Sequence, residues 1–227
     1  LALAAAQVGL AQQWALYSID EDGTNLQELA QIPGFDIINS PEISPDGKWV
    51  GVDGWKIGEN LRDAHLLFIN LETREVLDLG QGAMPSWSGD GRWFAYSHYE
   101  PRGVSVQSFD GLQTQLIDEN GWGIQWAPDG MKCVYTLSEG GGAQLVLYEF
   151  VGRSRRHVFS QNAIPYSSIY WNCKWSPDSR QICFKGRRAG GVEEIAVVDV
   201  GGGGASLEVL CDGADFLPDI GWHPDGS

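Results

Sequence analysis

The sequence predicts an all-β fold of repeated four-stranded antiparallel units arranged as a ring, a β-propeller, on three observations. The first is a short motif with an apolar strand on each side. Its copies are Ile43-Ser44-Pro45-Asp46-Gly47, Trp87-Ser88-Gly89-Asp90-Gly91, Trp126-Ala127-Pro128-Asp129-Gly130, Trp175-Ser176-Pro177-Asp178-Ser179 and Trp222-His223-Pro224-Asp225-Gly226. The second is their spacing: the motif aspartates recur 39 to 49 residues apart, the length of a propeller blade. The third is what lies between them, two further apolar strands and no helical periodicity long enough to cross over between parallel strands. Such sheets, apolar on both faces, are covered only by their neighbours.

In chain order, Trp14 to Asp20 alternates like a strand, and a turn at Asp20-Glu21-Asp22-Gly23 leads to a second strand near Leu26 to Ala30. This is half a unit. Ser40 to Asp53 is the first motif hairpin, followed by strands at 65–70 and 75–79. The order repeats with hairpins at 85–96, 124–137 and 170–185, each followed by two more strands. Ile220 to Ser227 opens a further unit. The expectation is four complete blades plus terminal half-blades, making five blades or a truncated six.

The motif has a turn mechanism. Pro presets φ at the first loop position, Asp bonds back to its own backbone, and Gly accepts a positive φ. Ser179 takes the Gly place at a cost of roughly 1 kcal/mol. A three-residue loop would pair Ser176 with Arg180 and set Cys173 opposite Cys183. There a cross-strand disulfide and two small core thiols both fit. The aspartates are thereby explained as structural, and no catalyst is assigned to them.

Thirty Gly, ten Trp and 43% hydrophobic residues describe a globular chain rich in turns. A net charge of -15 argues against nucleic acid, whose phosphates need a basic surface. Residues 1–13 carry no charge and end in small residues around Gly9-Leu10-Ala11, which reads as the remnant of a secretory signal cleaved before Gln12. The propeller then runs over 14–227, outside the cytoplasm, periplasmic or secreted, without a membrane span and as a monomer.

Chemistry-bearing constellations are few. The four histidines are scattered over different units, the four cysteines form no C-x-x-C pair, and no Gly-x-Ser-x-Gly elbow occurs. No metal or cofactor is expected. The loops between second and third strands share one face and gather mostly basic and aromatic residues, with one acid among them: Trp55, Arg62, Asp63, Tyr99, Arg102, Arg187 and Arg188. Aromatic and Arg side chains are what binding hot spots favour, so this rim is the candidate binding surface.

The motif followed by an apolar strand, best seen at Trp87 to Tyr96 and Trp175 to Phe184, resembles the PD40, or WD40-like, repeat of TolB-type propellers. The resemblance covers about residues 14–227. Its implication is a non-enzymatic propeller engaging a protein or cell-envelope component, as TolB-type propellers engage peptidoglycan-associated lipoproteins. Similar repeats also gate the hydrolase domain of prolyl-oligopeptidase-like peptidases, and others form carbohydrate-active propellers; both are alternatives.

Overall fold

The computed structural model describes residues 2–8, 13–20, 22–160, 162–202, 206–213 and 220–226. Among them the strands form four antiparallel sheets, the last of nine strands joining two blade-like groups at Ala143↔Tyr166, so five such groups follow in chain order. The first holds β1 (Ala2–Val8), β2 (Gln13–Ile19) and β3 (Gln27–Gln31). The second holds β4 (Ile37–Ile43), β5 (Trp49–Trp55), β6 (His65–Asn70) and β7 (Val76–Gln81). The third holds β8 (Ala83–Trp87), β9 (Trp93–Tyr99), β10 (Arg102–Ser108) and β11 (Thr114–Asp118). The fourth holds β12 (Trp122–Trp126), β13 (Lys132–Glu139), β14 (Gly142–Glu149) and β15 (Ser154–His157). In the fifth the inner strand is broken into β16 (Tyr166–Ile169) and β17 (Lys174–Trp175), both on β18 (Gln181–Arg188), followed by β19 (Glu193–Asp199) and β20 (Ser206–Asp212).

First strands of successive blades lie side by side, β4 by β8, β8 by β12 and β12 by β17, so they surround a common axis. Second strands also pack on the first strand of the next blade, β5 on β8 and β9 on β12, and β1 lies against β4. The core therefore sits between blades. Leu16 and Ile32 meet Ile38, Val52 and Leu67; Phe68 meets Trp87 and Phe94; Val134 and Leu147 meet Ile182 and Phe184. Each such buried side chain is worth about 2 kcal/mol of transfer free energy, which is why no blade stands alone.

The structure adds to or departs from the sequence reading in three places. First, residues 2–8, within the stretch read as a leader remnant, form β1, paired along its length with β2 from Ala2↔Ile19 to Val8↔Gln13. A short uncharged apolar run suits a signal core and a strand equally well, so this pairing does not decide the leader reading. Second, the motif loop has four residues, not three. Ser44 N–H donates to the Trp49 carbonyl, while the Ser44 hydroxyl accepts from Trp49 N–H and donates to Asp46, whose carboxylate takes Lys48 N–H. With Lys48 bound to Asp46, the ladder starts one residue later. Ser176 and Gln181 repeat this, so Cys183 lies opposite Lys174, and all four cysteines are free thiols. That one-residue slip moves Cys173 to the other face of the sheet from Cys183, against the proposed bridge. Third, the strands run further, leaving the second-to-third-strand connections shorter than expected, except at 56–64.

Neighbouring blades are also tied by hydrogen bonds. The indole of Trp87 donates to the Glu42 carbonyl (3.2 Å), that of Trp175 to Gln125 (3.2 Å) and that of Trp222 to Lys174 (3.0 Å). Each spans one junction. The motif turns touch as well: Ser179, at φ 60°, accepts from Asp129 N–H at 2.9 Å. Ser at a Gly position is thus offset by a bond that Gly lacks. Ser179→Ala keeps the strain and loses the bond, and is expected to destabilise by about 1 kcal/mol, whereas Ser179→Gly changes little. Chemical denaturation of the two variants checks this.

Candidate rim-binding site

The turn in 56–64 is built locally. Asn60 caps the short 3-10 turn Leu61–Asp63 by accepting from Arg62 N–H (2.9 Å), and Asp63 accepts in return from Asn60 N–H (3.0 Å). The Asp63 carboxylate is therefore spent on shaping the loop. It aims Leu61 inward, where Leu61, Trp55 and Trp122 pack on Ala64, Ala83 and Met84. Arg62 stays exposed and pairs with Glu100 at 3.7 Å, a contact worth little in solvent.

Tyr99 and Arg102 stand directly opposite one another across the β9–β10 turn, so their side chains share a face. Both meet Trp122: the Tyr99 ring at 4.3 Å between centroids, tilted by 53°, and the Arg102 guanidinium at 5.0 Å over the indole. Gly123 has φ 65°, and a Cβ there would lie 2.6 Å from the Trp171 carbonyl oxygen, so Trp171 closes on the Trp122 side of the group. The result is an aromatic wall, Trp55, Tyr99 and Trp122, contributed by three successive blades and edged by Arg62 and Arg102, with the Trp171 backbone against Gly123.

Beneath it lies Asp53, 1% exposed. One carboxylate oxygen accepts from Met84 N–H at 3.0 Å, tying the second blade to the third; the other has no hydrogen-bond partner. Burial pushes this carboxyl up to about 6, with the Met84 N–H and the nearby Ser40 hydroxyl opposing. Burial likewise raises Tyr99, with Arg102 and Arg62 pulling it down and Asp53 pushing it up. Ser97, in the same place one blade on, accepts from Gly123 N–H at 2.9 Å.

Arg187 and Arg188 do not join this group. Arg187 Nε donates to Glu193 at 3.2 Å, and Lys185 and Tyr170 bond the same carboxylate at 2.8 and 2.9 Å. Together Lys185, Arg187 and Tyr170 hold Glu193 down at about 2. Arg188 pairs with Glu194 at 2.9 Å and lies 4.9 Å over the Tyr166 ring. Both arginines thus serve their own blade.

The wall gains Trp122, backed by Leu61 and Met84, which sequence reasoning left out, and Asp53 below it. Their signal is positional. Ser40, Met84 and Gly123 each stand six residues before a motif aspartate and all have positive φ, between 52° and 65°. That repeated kink projects the residue just before it, Trp122 in the fourth blade. The histidines are individually partnered: His65 by Asp78, His98 by the Pro101 carbonyl and Ser105, His157 by Glu139 and His223 by Asp225. Among the described residues no three metal-capable side chains are gathered.

No family model matches the chain. It is 29% identical over 120 residues to the Tol-Pal system protein TolB of Nitratidesulfovibrio vulgaris, a match covering 50% of this chain and 27% of that one. The structure of TolB from Acinetobacter baumannii superposes with a TM-score of 0.72 at 20% identity, over 88% of this chain and 49% of that one. The chain thus spans about half the length of that TolB or less. The Agrobacterium tumefaciens structure assigned to TolB gives a TM-score of 0.76 at 18% identity, over 93% and 80% of the two chains. A puromycin-hydrolysing peptidase from Mycobacterium tuberculosis gives 0.70 at 16% identity, over 92% of this chain and 34% of that one. Inner strands around a common axis, cores between blades and these likenesses agree: the chain folds as a β-propeller of the TolB type.

Proposed function

We propose that the protein is a non-enzymatic binding module of the cell envelope, periplasmic or secreted, that docks a protein partner on the aromatic wall. The observation that carries this reading is the meeting of Tyr99, Arg102 and Trp122 from adjacent blades into one partly exposed patch. Rigid aromatic faces with a stacked guanidinium supply contact area at low entropic cost. The resemblance to TolB suggests the partner class, a peptidoglycan-associated lipoprotein. Calorimetric titration with the soluble domain of such a lipoprotein tests it. Tyr99→Ala with Arg102→Ala is expected to weaken binding at least about tenfold, or 1.4 kcal/mol, with unfolding unchanged. Undiminished binding by the double variant would overturn the assignment of the wall.

A second reading is favoured by one observation, the likeness to the puromycin-hydrolysing peptidase. There the chain would be the propeller of a larger hydrolase. A Gly-x-Ser-x-Gly elbow in chain continuous with this sequence would select it over the binding module.

A further inference from the structure

Tyr99 and Arg187 occupy the same place in their repeats, each nine residues after a motif aspartate, Asp90 and Asp178. Arg187 faces Glu193 across its turn, whereas Tyr99 faces Arg102. The fifth blade therefore supplies an acid to its own arginines and the third does not. How such a group looks when complete is visible in the fifth blade. Arg188 lies 4.9 Å over the Tyr166 ring, and its guanidinium donates to Glu194 at 2.9 Å. The Tyr166 hydroxyl donates to the same carboxylate oxygen.

The wall has the ring, the guanidinium and the hydroxyl without an acid. The Arg102 guanidinium lies 5.0 Å over Trp122, and the Tyr99 ring is 4.3 Å from that same indole. Among the described residues, neither the Arg102 guanidinium nor the Tyr99 hydroxyl has a hydrogen-bond or ion-pair partner. Arg102 is exposed and Tyr99 half-buried. Carboxylates of the same rim are engaged elsewhere. Asp36 takes Ile57 N–H at 2.9 Å, Glu59 takes Lys56 N–H at 2.8 Å and Asp63 takes Asn60 N–H at 3.0 Å, while Glu100 faces Arg62.

The geometry points to an Asp or Glu side chain of the protein partner as the group this wall recognises. Its carboxylate takes the Arg102 guanidinium and the Tyr99 hydroxyl, and an adjoining apolar side chain covers Trp122. The inference rests on the wall being the docking surface. Stacking on the indole orients the guanidinium before the partner arrives, so little freedom is lost on docking. A planar fork of donors matches the two oxygens of a carboxylate better than a neutral acceptor. Withdrawn from water by the partner, this pair gains more than the solvent-exposed Arg62–Glu100 contact does. The net charge of -15 repels an acidic segment from the rest of the surface, which confines it to the unpaired guanidinium.

The test begins with random peptides displayed on phage, selected on the whole chain and counter-selected on Tyr99→Ala, so that survivors are those that use the wall. Survivors are synthesised with amidated C-termini, leaving side chains as the source of carboxylates. Each is titrated calorimetrically beside a version with Glu changed to Gln and Asp to Asn. The survivors are expected to carry an acid whose neutralisation weakens binding about tenfold. Arg102→Gln, at an exposed position, should bind both versions alike, while Arg62→Gln still discriminates between them. The comparison of peptides on the unaltered chain needs no variant to fold. Survivors that bind equally well after neutralisation would overturn this inference and leave the wall as a docking surface. A selection without survivors would remove both.

Discussion

Gly89→Ala, and equally Gly89→Pro, is expected to destabilise the protein by about 3 kcal/mol, although Pro restores the residue its sister turns carry. The cause is the neighbour and not the turn itself. Gly89 is not among the positive-φ glycines, so its backbone suits any residue. A Cβ, however, would overlap the Pro128 carbonyl oxygen and come within 3.1 Å of its carbon. Backbone cannot yield as a flexible side chain would, so the two blades must separate. The matched control is Pro45→Gly in the preceding turn, where Gly91 approaches Pro45 only to ordinary contact and the expected loss is below about 1 kcal/mol. Urea unfolding of both variants measures the difference. A loss at Gly89 no larger than at Pro45 would remove the turn-to-turn contact from the account.

Asp53→Asn is expected to stabilise the protein at neutral pH by about 2 kcal/mol and to flatten one part of its pH dependence. The carboxyl titrates near 6 when folded, above its ordinary value of 3.8. Between those values the native state holds the proton more tightly than the unfolded chain. Stability therefore falls as pH rises from about 4 to about 6, and the cost is complete above that window. Asn presents an oxygen to Met84 N–H without the charge, at the expense of an amide group where the carboxylate oxygen already lacked a partner. Parallel unfolding of wild type and variant at about pH 4.5 and pH 7.5 checks the sign. A gap between the two proteins that does not widen with pH would show that Asp53 stays ionised throughout.

The repeat and its strands were legible because a turn motif of fixed chemistry recurs at blade spacing, and because alternating apolar runs flank it. The register inside each hairpin was not. Ser44 and Ser176 use their hydroxyls to hold the second strand's first amide, while Asp46 and Asp178 take the amide before it, lengthening the loop by one. The Ser44 and Ser176 hydroxyls, then those N–H groups, hold the two carboxyls below the usual range. Counting the turn as three residues placed Cys173 opposite Cys183, and only the hydroxyl-to-amide bond shows otherwise. At the rim, Trp55, Arg62, Tyr99 and Arg102 were found because basic and aromatic residues stand out in an acidic chain. Trp122 escaped because it precedes its hairpin, and Arg187 and Arg188 looked free because Glu193 and Glu194 face them from the next strand.

The contacts between motif turns have a consequence for local opening. Gly89 abuts Pro128 and Asp129 N–H is held by Ser179, so the fourth blade's turn is fastened on both sides by other blades. The Asp129 amide stays protected only while both turns hold their places, so movement of either blade at this contact releases it. Hydrogen exchange at that amide therefore reports the junction and not the fourth blade alone. Protection along this chain is shared between adjacent repeats, and the smallest unit that opens on its own is larger than one blade.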